Sequence, residues 1–450
     1  MVDKLAATGF LAVLGSSGSG KSSLVNCGLL PALRRGLMAR AGTSWRIVDC
    51  TPKNDPTGRL TQALAKSDVL ASQFESKVLS FDQIVRATLD NSRRGLIEVF
   101  EQSRPTTDTN LLVFVDQFEE LFRYAREESS SRQESVAFVN LLLEVLNERR
   151  HMRQDPGAFG EDHPSARIYV VLTMRSDFLG DCARFPGLPS AVSEGQYLVP
   201  RMTRSERRAA ISGPAQVRGP QIAPILLTRL VNDVGDDPDQ LSILQHALRR
   251  TWDDWVVGGA SKSISLGNYE NIGTMEGALD QHAREAFEKR LNPGQRIICE
   301  RLFKAITDKA SDPRGIRRPT ESHELIDIVR TDEGEFTEDE IAEVIDVFRD
   351  PAYSFLTPLK PEVLQKNSPI DISHESLMRV WGQLRKWADA EAESSRKFRR
   401  LAETAALYSQ VDSQTGERGA ALLRDPDLQL ALVWYDENKP TPACGECQQV

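Results

Sequence analysis

The chain has 450 residues, enough for about three domains of ordinary size, and its 40% hydrophobic and 27% charged residues exclude a collagen-like, mucin-like or wholly disordered polymer. Lys and Arg number 56 against 65 Asp and Glu, a net charge of −9, so nucleic acid is not an expected partner on charge grounds. No apolar run approaches the ~18 residues of a transmembrane helix, and six cysteines make no disulfide framework, so no membrane partner and a cytoplasmic location are expected.

Phe10–Leu14 is a short apolar run ending in glycine, the pattern of a buried parallel strand. Trp45–Cys50, Leu111–Val115 (LLVFV), Ile168–Leu172 (IYVVL) and Gln196–Val199 follow as further strands. Helical patterns lie between them, among them Ser22–Leu30 and Ser135–Leu146. Strands alternating with helices predict an α/β fold over residues 1–198, a parallel sheet with helices on both faces. Beyond Pro200 the pattern turns helical. Thr203–Pro214, with Thr203 and Glu206 in a capping box, Ile225–Val234, Leu241–Trp255 and Met275–Leu291 predict a helical domain over 199–291. The Gly- and Ser-rich stretch Val256–Tyr269 reads as a loop within it. Two or three helices, at Gln295–Thr307, Glu321–Ile328 and Glu338–Phe348, then precede two short apolar runs, Phe355–Leu359 and Ile370–Ile372, that can pair as a hairpin. That order suggests a winged-helix domain over 292–386. Trp381–Leu407 reads as one charged helix leading into a last segment, 387–450, with a frayed tail at Pro440–Val450.

The first strand runs into a phosphate-loop motif. Gly15, Ser16, Ser17, Gly18, Ser19, Gly20, Lys21 and Ser22 match G-x-x-x-x-G-K-[ST], and the nucleotide-binding set extends to Ser23. Glycines let the backbone wrap closely, so that successive N–H groups face phosphate oxygens. The start of the following helix adds its positive end. Lys21 would reach the β- and γ-phosphates, and the Ser22 hydroxyl would ligate Mg²⁺. The plain alternative is a flexible Gly/Ser loop, which leaves the strand before it and the helix after it unexplained.

Asp116 closes the LLVFV strand, where a Mg²⁺-holding carboxylate belongs in such a sheet. It lies far downstream of Lys21, with Trp45–Cys50 between the two motifs, as in P-loop ATPases with an inserted strand. Glu119 and Glu120 follow within a helical turn, and one of them could polarise the attacking water. Alternatively, both sit in a first helical turn, favoured by its dipole. Past Ile168–Leu172, the polar Thr173 and then Arg175 stand at a strand tip where they could sense a γ-phosphate. Alternatively, Arg175 is a surface arginine paired with Asp177.

Seven segments in order, GSSGSGKSSLVNCGLLPALRRG, LLVFVDQFEELF, VVLTMRSDFLGDC, PRMTRSERRAAISGPA, DQLSILQHALRRTW, YENIGTMEGALDQHA and ISHESLMRVWGQLRKW, resemble the bacterial novel STAND NTPase domain over residues 8–436. STAND proteins are signal-transduction ATPases related to the NACHT and AP-ATPase switches. The resemblance implies a slow ATPase that serves as an ATP/ADP switch in signalling or defence: ADP holds a closed monomer, and exchange for ATP opens it and permits self-association. It also implies sensor or effector domains or proteins beyond this chain, and so a truncated or separately encoded switch core. In the related switches a winged-helix histidine within a His-[Asp/Glu]-x-Leu pattern reads the ADP phosphate, and His374-Glu375-Ser376-Leu377-Met378-Arg379 matches that pattern. Two departures stand out. No aromatic–Gly–Arg–Glu segment precedes the first strand, and Ser242 occupies a position where relatives have proline.

Two other function classes compete. A DNA-binding regulator would need a basic recognition helix, whereas Glu338–Phe348 is acidic. A housekeeping P-loop phosphotransferase would need an acceptor pocket and lid, whereas the sheet is followed by helical and winged-helix units. Cys444 and Cys447 form half a zinc knuckle at best, and a tail without metal is the simpler expectation.

Overall fold

The computed structural model describes residues 1–438 apart from 54, 67–68, 71–79, 104–107, 125–128, 156–162, 236–239, 310–314, 331–335, 374 and 410–422. The expected tail at Pro440–Val450, with Cys444 and Cys447, lies outside the described residues. The chain divides into two compact units, Met1–Met202 and Thr203–Val450.

The first unit runs α1 (Val2–Thr8), β1 (Phe10–Gly15), α2 (Lys21–Leu24), a π-helical turn (Val25–Leu29), α3 (Leu30–Arg34), β2 (Trp45–Cys50), α4 (Pro56–Leu64), α5 (Phe81–Asn91), α6 (Gly95–Gln102), β3 (Asn110–Val115), α7 (Glu120–Tyr124), α8 (Ser129–Gln154), β4 (Ile168–Arg175), α9 (Leu188–Gly195) and β5 (Gln196–Leu198). The strands form one parallel sheet in the order β2-β3-β4-β1-β5. Side chains alternate between its faces, as the pleat requires. Leu11, Val13, Leu112, Phe114, Tyr169 and Val171 pack with Leu5, Val25, Leu29 and Leu33 on one side. Phe10, Ala12, Leu14, Leu111, Val113, Val115, Ile168, Val170 and Leu172 pack with α4–α6, α8 and α9 on the other. Burial on both faces is why these strands read as continuous apolar runs. This is the α/β P-loop NTPase fold.

Two sequence expectations change here. The strand expected at Ile168–Leu172 continues through Thr173 to Arg175, because hydrogen bonding to β1 goes on in register as far as Gly15 beside Arg175. Trp45–Cys50 separates the two motifs in sequence but lies at the sheet edge. The strand standing between β1 and β3 is β4.

The second unit runs α10 (Arg204–Arg218), β6 (Gln221–Ile222), α11 (Pro224–Asp233), α12 (Gln240–Val257), β7 (Ser263–Ile264), α13 (Leu266–Asn271), α14 (Thr274–Arg290), α15 (Pro293–Ala305), β8 (Thr307–Asp308), β9 (Ile316–Arg317), β10 (Thr320–Glu321), α16 (Ser322–Val329), α17 (Glu338–Arg349), β11 (Leu356–Thr357), β12 (Pro369–Ile372), α18 (Ser376–Val380), α19 (Gly382–Ser409) and α20 (Asp427–Asn438). It has two cores. One gathers Ile211, Leu226, Leu230, Leu244, Trp255 and Tyr269. The other gathers Phe303, Leu325, Ile345, Phe348, Ile370 and Trp381. Helix α14 serves both, giving Met275 and Ala278 to the first and Leu279, Ala283 and Ala286 to the second. The expected hairpin exists as antiparallel β11 and β12, and β10 pairs on the far side of β12.

Three expectations fail locally. Helix α10 passes through Pro214 to Arg218, with Ile211 and Ala215 buried on either side. A proline removes one helix hydrogen bond, and the packing of these neighbours offsets it. The stretch Val256–Tyr269 is more than a loop: Ser263 and Ile264 pair with Gln221 and Ile222, and α13 starts at Leu266. Helix α20 forms where the sequence suggests no element; it packs on α19, the Trp434 indole N–H donating to the Ser394 hydroxyl at 2.9 Å and its ring lying 6.2 Å from that of Phe398. Among the described residues no helix is long and apolar enough to cross a membrane.

Helix α9 lies hard against β1 at Gly195, where an added Cβ would come within 2.7 Å of the Phe10 carbonyl oxygen and 2.8 Å of its ring. Overpacking of this kind costs about 1–3 kcal/mol. Gly195→Ala is therefore expected to lower the denaturation midpoint of the first unit. An unchanged midpoint would mean that α9 slides away from β1 without penalty.

Candidate functional site

Strand β1 ends at Gly15 and α2 begins at Lys21. In the loop between them Gly18 and Gly20 take φ values of 69° and 83°, left-handed backbone that a side chain would strain. Lys21 Nζ donates to the carbonyls of Gly15, at 3.1 Å, and Ser16, at 2.8 Å. The Ser19 amide donates to the Ser16 carbonyl at 3.3 Å. Ser23 is exposed on α2.

The loop suits a phosphate on two observations. Ser19 Oγ is buried without a hydrogen-bond partner among the described residues, and a buried hydroxyl in that position calls for an acceptor or donor from outside the chain. A Cβ on Gly20 would meet nothing within 4 Å, so the backbone there is open to close approach. For a cation, the hydroxyl of Ser22 and the carboxylate of Asp116 are hard oxygen donors of the kind Mg²⁺ takes.

The face alternation explains how these groups meet. Asp116 continues the series Leu112, Phe114, and Thr173 continues Tyr169, Val171, so both project to the face covered by the π-helical turn and α3. Ser22 donates its hydroxyl hydrogen to Asp116 Oδ1 at 2.7 Å, and the Thr173 hydroxyl donates to the same oxygen. The chain then turns sharply. Gln117 sits at φ 56°, its amide donating to Thr173 Oγ1 at 3.0 Å, and the Phe118 amide donates to the Thr173 carbonyl at 2.9 Å.

The turn sends the two glutamates in different directions. Both are buried, at 9% and 6% exposure, so neither is a solvated first-turn residue. Glu119 Oε2 accepts the Arg175 amide at 3.3 Å. Burial raises the Glu119 pKa above the ordinary glutamate value, while backbone hydrogen bonds and the charges of Lys21 and Arg175 pull it back down. Glu120 Oε2 accepts the Lys53 amide at 3.2 Å, in the loop after β2. Glu119 thus belongs with the phosphate loop, and Glu120 braces the neighbouring loop.

Arg175 is the last residue of β4, in register beside Gly15. Its guanidinium pairs with Asp177 at 2.8 Å and lies over the Phe178 ring, 5.7 Å from its centroid. The pairing weighed in the sequence is therefore present, but on a side chain only 13% exposed at the strand tip rather than on a free surface. His374 lies outside the described residues. The flanking Glu375 and Arg379 form an ion pair at 3.7 Å.

Two members of the site were underread in the sequence. Thr173 stands out as a polar residue in an apolar strand, but its hydroxyl serves Asp116 and the Gln117 amide rather than being left for a phosphate. Asp49 lies beside Phe114 in register, on the same sheet face as Asp116. Its pKa is raised by partial burial and then by the Asp116 charge.

The family model for novel STAND NTPase 1 matches residues 1–416. Among solved structures, Cdc6p from Pyrobaculum aerophilum is similar at 14% identity and a TM-score of 0.36, over 87% of this chain and 93% of that one. The ORC2 protein of Aeropyrum pernix, in its ADPNP–ADP complexes, is similar at 13% identity and a TM-score of 0.43, over 88% of this chain and 91% of that one. A likeness of this degree says nothing about what this chain binds. No curated protein matches the chain in sequence.

The raised Glu119 pKa carries a stability consequence. A carboxyl that holds its proton more tightly when folded costs nothing at pH values below the unfolded pKa, where both states are protonated. The cost grows as pH rises from there to the folded pKa. Glu119→Gln is expected to raise the unfolding temperature at neutral pH, with a gain that shrinks as pH falls from the folded pKa towards 4.5 and is absent below it. Equal gains at acidic and neutral pH in a thermal melting series would assign the effect to packing instead.

Proposed function

Because this chain belongs to the novel STAND NTPase 1 family, we propose that its nucleotide site works as an ATP/ADP switch with slow ATPase activity, opening and self-associating in the ATP state to control signalling or defence. The observation that carries this reading is the convergence of Lys21, Ser22, Asp116 and Glu119 at the carboxyl ends of β1 and β3, with Ser22 and Asp116 already 2.7 Å apart. Lys21 leaves its loop carbonyls to neutralise the β- and γ-phosphates. Ser22 and Asp116 hold Mg²⁺, which when bound supplies positive charge to the phosphate oxygens. Glu119 orients the attacking water and takes its proton, a role for which a carboxyl with a raised pKa is suited. Arg175, one strand over, exchanges Asp177 for the γ-phosphate, and its planar fork suits that partner.

We read the rest of the chain as the moving parts: a helical domain over 199–291, a winged-helix domain over 292–386 and a C-terminal helix and tail over 387–450. Two separate cores and the β10–β12–β11 sheet behind three helices support that division. A nucleotide shifts such an equilibrium only by its differential affinity for the two states, and full reversal takes about 10⁴-fold. ADP and ATP must therefore differ in what they hold together, whatever their absolute affinities.

Lys21→Ala is expected to abolish ADP and ATP binding in a calorimetric titration. Unchanged affinity would sink the phosphate-loop assignment. Glu119→Gln is expected to keep ATP bound and slow hydrolysis by about 10²–10⁴-fold, while Glu120→Gln leaves the rate in place. A rate that falls with Glu120→Gln and not with Glu119→Gln would reverse the assignment. Sedimentation with ADP and with ATP tests the switch itself, and identical distributions would remove self-association from the reading.

A further inference from the structure

We infer that Thr173 is the positioning residue for Asp116, the group through which β4 sets how tightly the site holds its divalent cation. The inference rests on the nucleotide-site reading above and deepens it. A hydroxyl has one proton and two lone pairs. The Gln117 amide can only donate, and it does so to Thr173 Oγ1 at 3.0 Å. The hydroxyl is therefore an acceptor on that side, and its proton goes to Asp116 Oδ1. This leaves no freedom in the donor direction. Asp116 Oδ1 then receives two hydroxyl protons, from Thr173 and from Ser22, which fix the direction in which the carboxylate points.

The two donors differ in where they come from. Ser22 belongs to the helix after the phosphate loop and is itself a cation ligand in this reading. Thr173 belongs to the sheet. It is 1% exposed, β-branched and so stiff about χ1, and it stands on a strand paired on both sides. It can hold Asp116 in one orientation while the loop and its ligand come and go. A carboxylate oriented by such an outer partner binds metal more tightly, and losing the partner typically costs about 10–100-fold in metal affinity. The backbone bond from the Phe118 amide to the Thr173 carbonyl survives any side-chain change, so the turn keeps one of its two ties in every variant.

The test separates metal affinity from nucleotide affinity. ADP binding is measured by calorimetry in EDTA and then as Mg²⁺ is added, for wild type, Thr173→Val and Thr173→Ser. Thr173→Val, close in shape but without the hydroxyl, is expected to leave the metal-free ADP affinity unchanged. The same variant is expected to raise the Mg²⁺ concentration at half effect by about 10–100-fold. Thr173→Ser, which keeps the hydroxyl, is expected to restore the wild-type midpoint. Should Thr173→Val not fold, Thr173→Ala removes the same hydroxyl and is read the same way. An unchanged midpoint overturns the inference. So does an equal loss of metal-free and Mg²⁺-supported affinity, or a serine variant as defective as valine, since both would make Thr173 a packing residue. Wild-type protein that binds no ADP, or binds it without any response to Mg²⁺, would instead overturn the nucleotide-site reading and this inference with it.

Discussion

One carboxylate oxygen joins three separate pieces of the first unit. Asp116 Oδ1 accepts hydroxyl hydrogens from Ser22 on α2 and from Thr173 on β4, while Asp116 itself closes β3. β4 lies directly between β1 and β3, so the loop that leaves β1 and the acid that ends β3 meet across the strand separating them. The Asp116 amide adds a tie to β2 by donating to the Cys50 carbonyl at 2.9 Å. Two hydroxyl donors converging on one oxygen make a single junction between these elements. It fixes how the loop, the acid and the turn carrying Glu119 sit relative to one another.

The rest of the unit serves that arrangement. A parallel sheet buried on both faces keeps its strands in register over their whole length, so Gly15 and Arg175 arrive side by side. The backbone departs from ordinary geometry where the site needs it: Gly18 and Gly20 in the loop, and Gln117 just past the acid, all hold positive φ. Glycine makes the first two inexpensive. Gln117 is different, because a side chain in that region is strained. The two hydrogen bonds to Thr173 on either side of its peptide hold it there. The result is a turn tight enough to bury both glutamates and to point them at different neighbours.

The second unit is organised by a shared helix. Helix α14 gives its first turns to one core and its later turns to the other. His282, in its middle, is 4% exposed and lies 3.3 Å from His246 of α12, with Tyr353 and Phe355 packed on its ring. Burial pushes the His282 pKa down to about 2, so the His282 ring in this contact between the cores is neutral at any ordinary pH. Arg250 and Glu285 pair beside it at 2.9 Å. The two cores are thus joined by packed aromatic surface as well as by chain.

The phosphate loop, the acid at Asp116 and most elements were legible in the sequence, because each rests on local signals. A Gly-rich loop between an apolar strand and a helix, an acid after LLVFV and capping residues such as Thr203 all act within a few residues of themselves. Period and composition could not reveal what depends on pairing between distant strands. The sequence could not say that β4 rather than β2 stands between the two motifs, or that Thr173 would face Asp116 instead of a phosphate. Nor could it separate Glu119, which turns to Arg175, from Glu120, which turns to Lys53, because adjacent residues share one local environment and differ only in what the fold brings opposite them. The chemistry available at the site was written in the residue types. Which residue meets which was decided by sheet order and register, since a hydrogen bond depends on distances that only the folded chain sets.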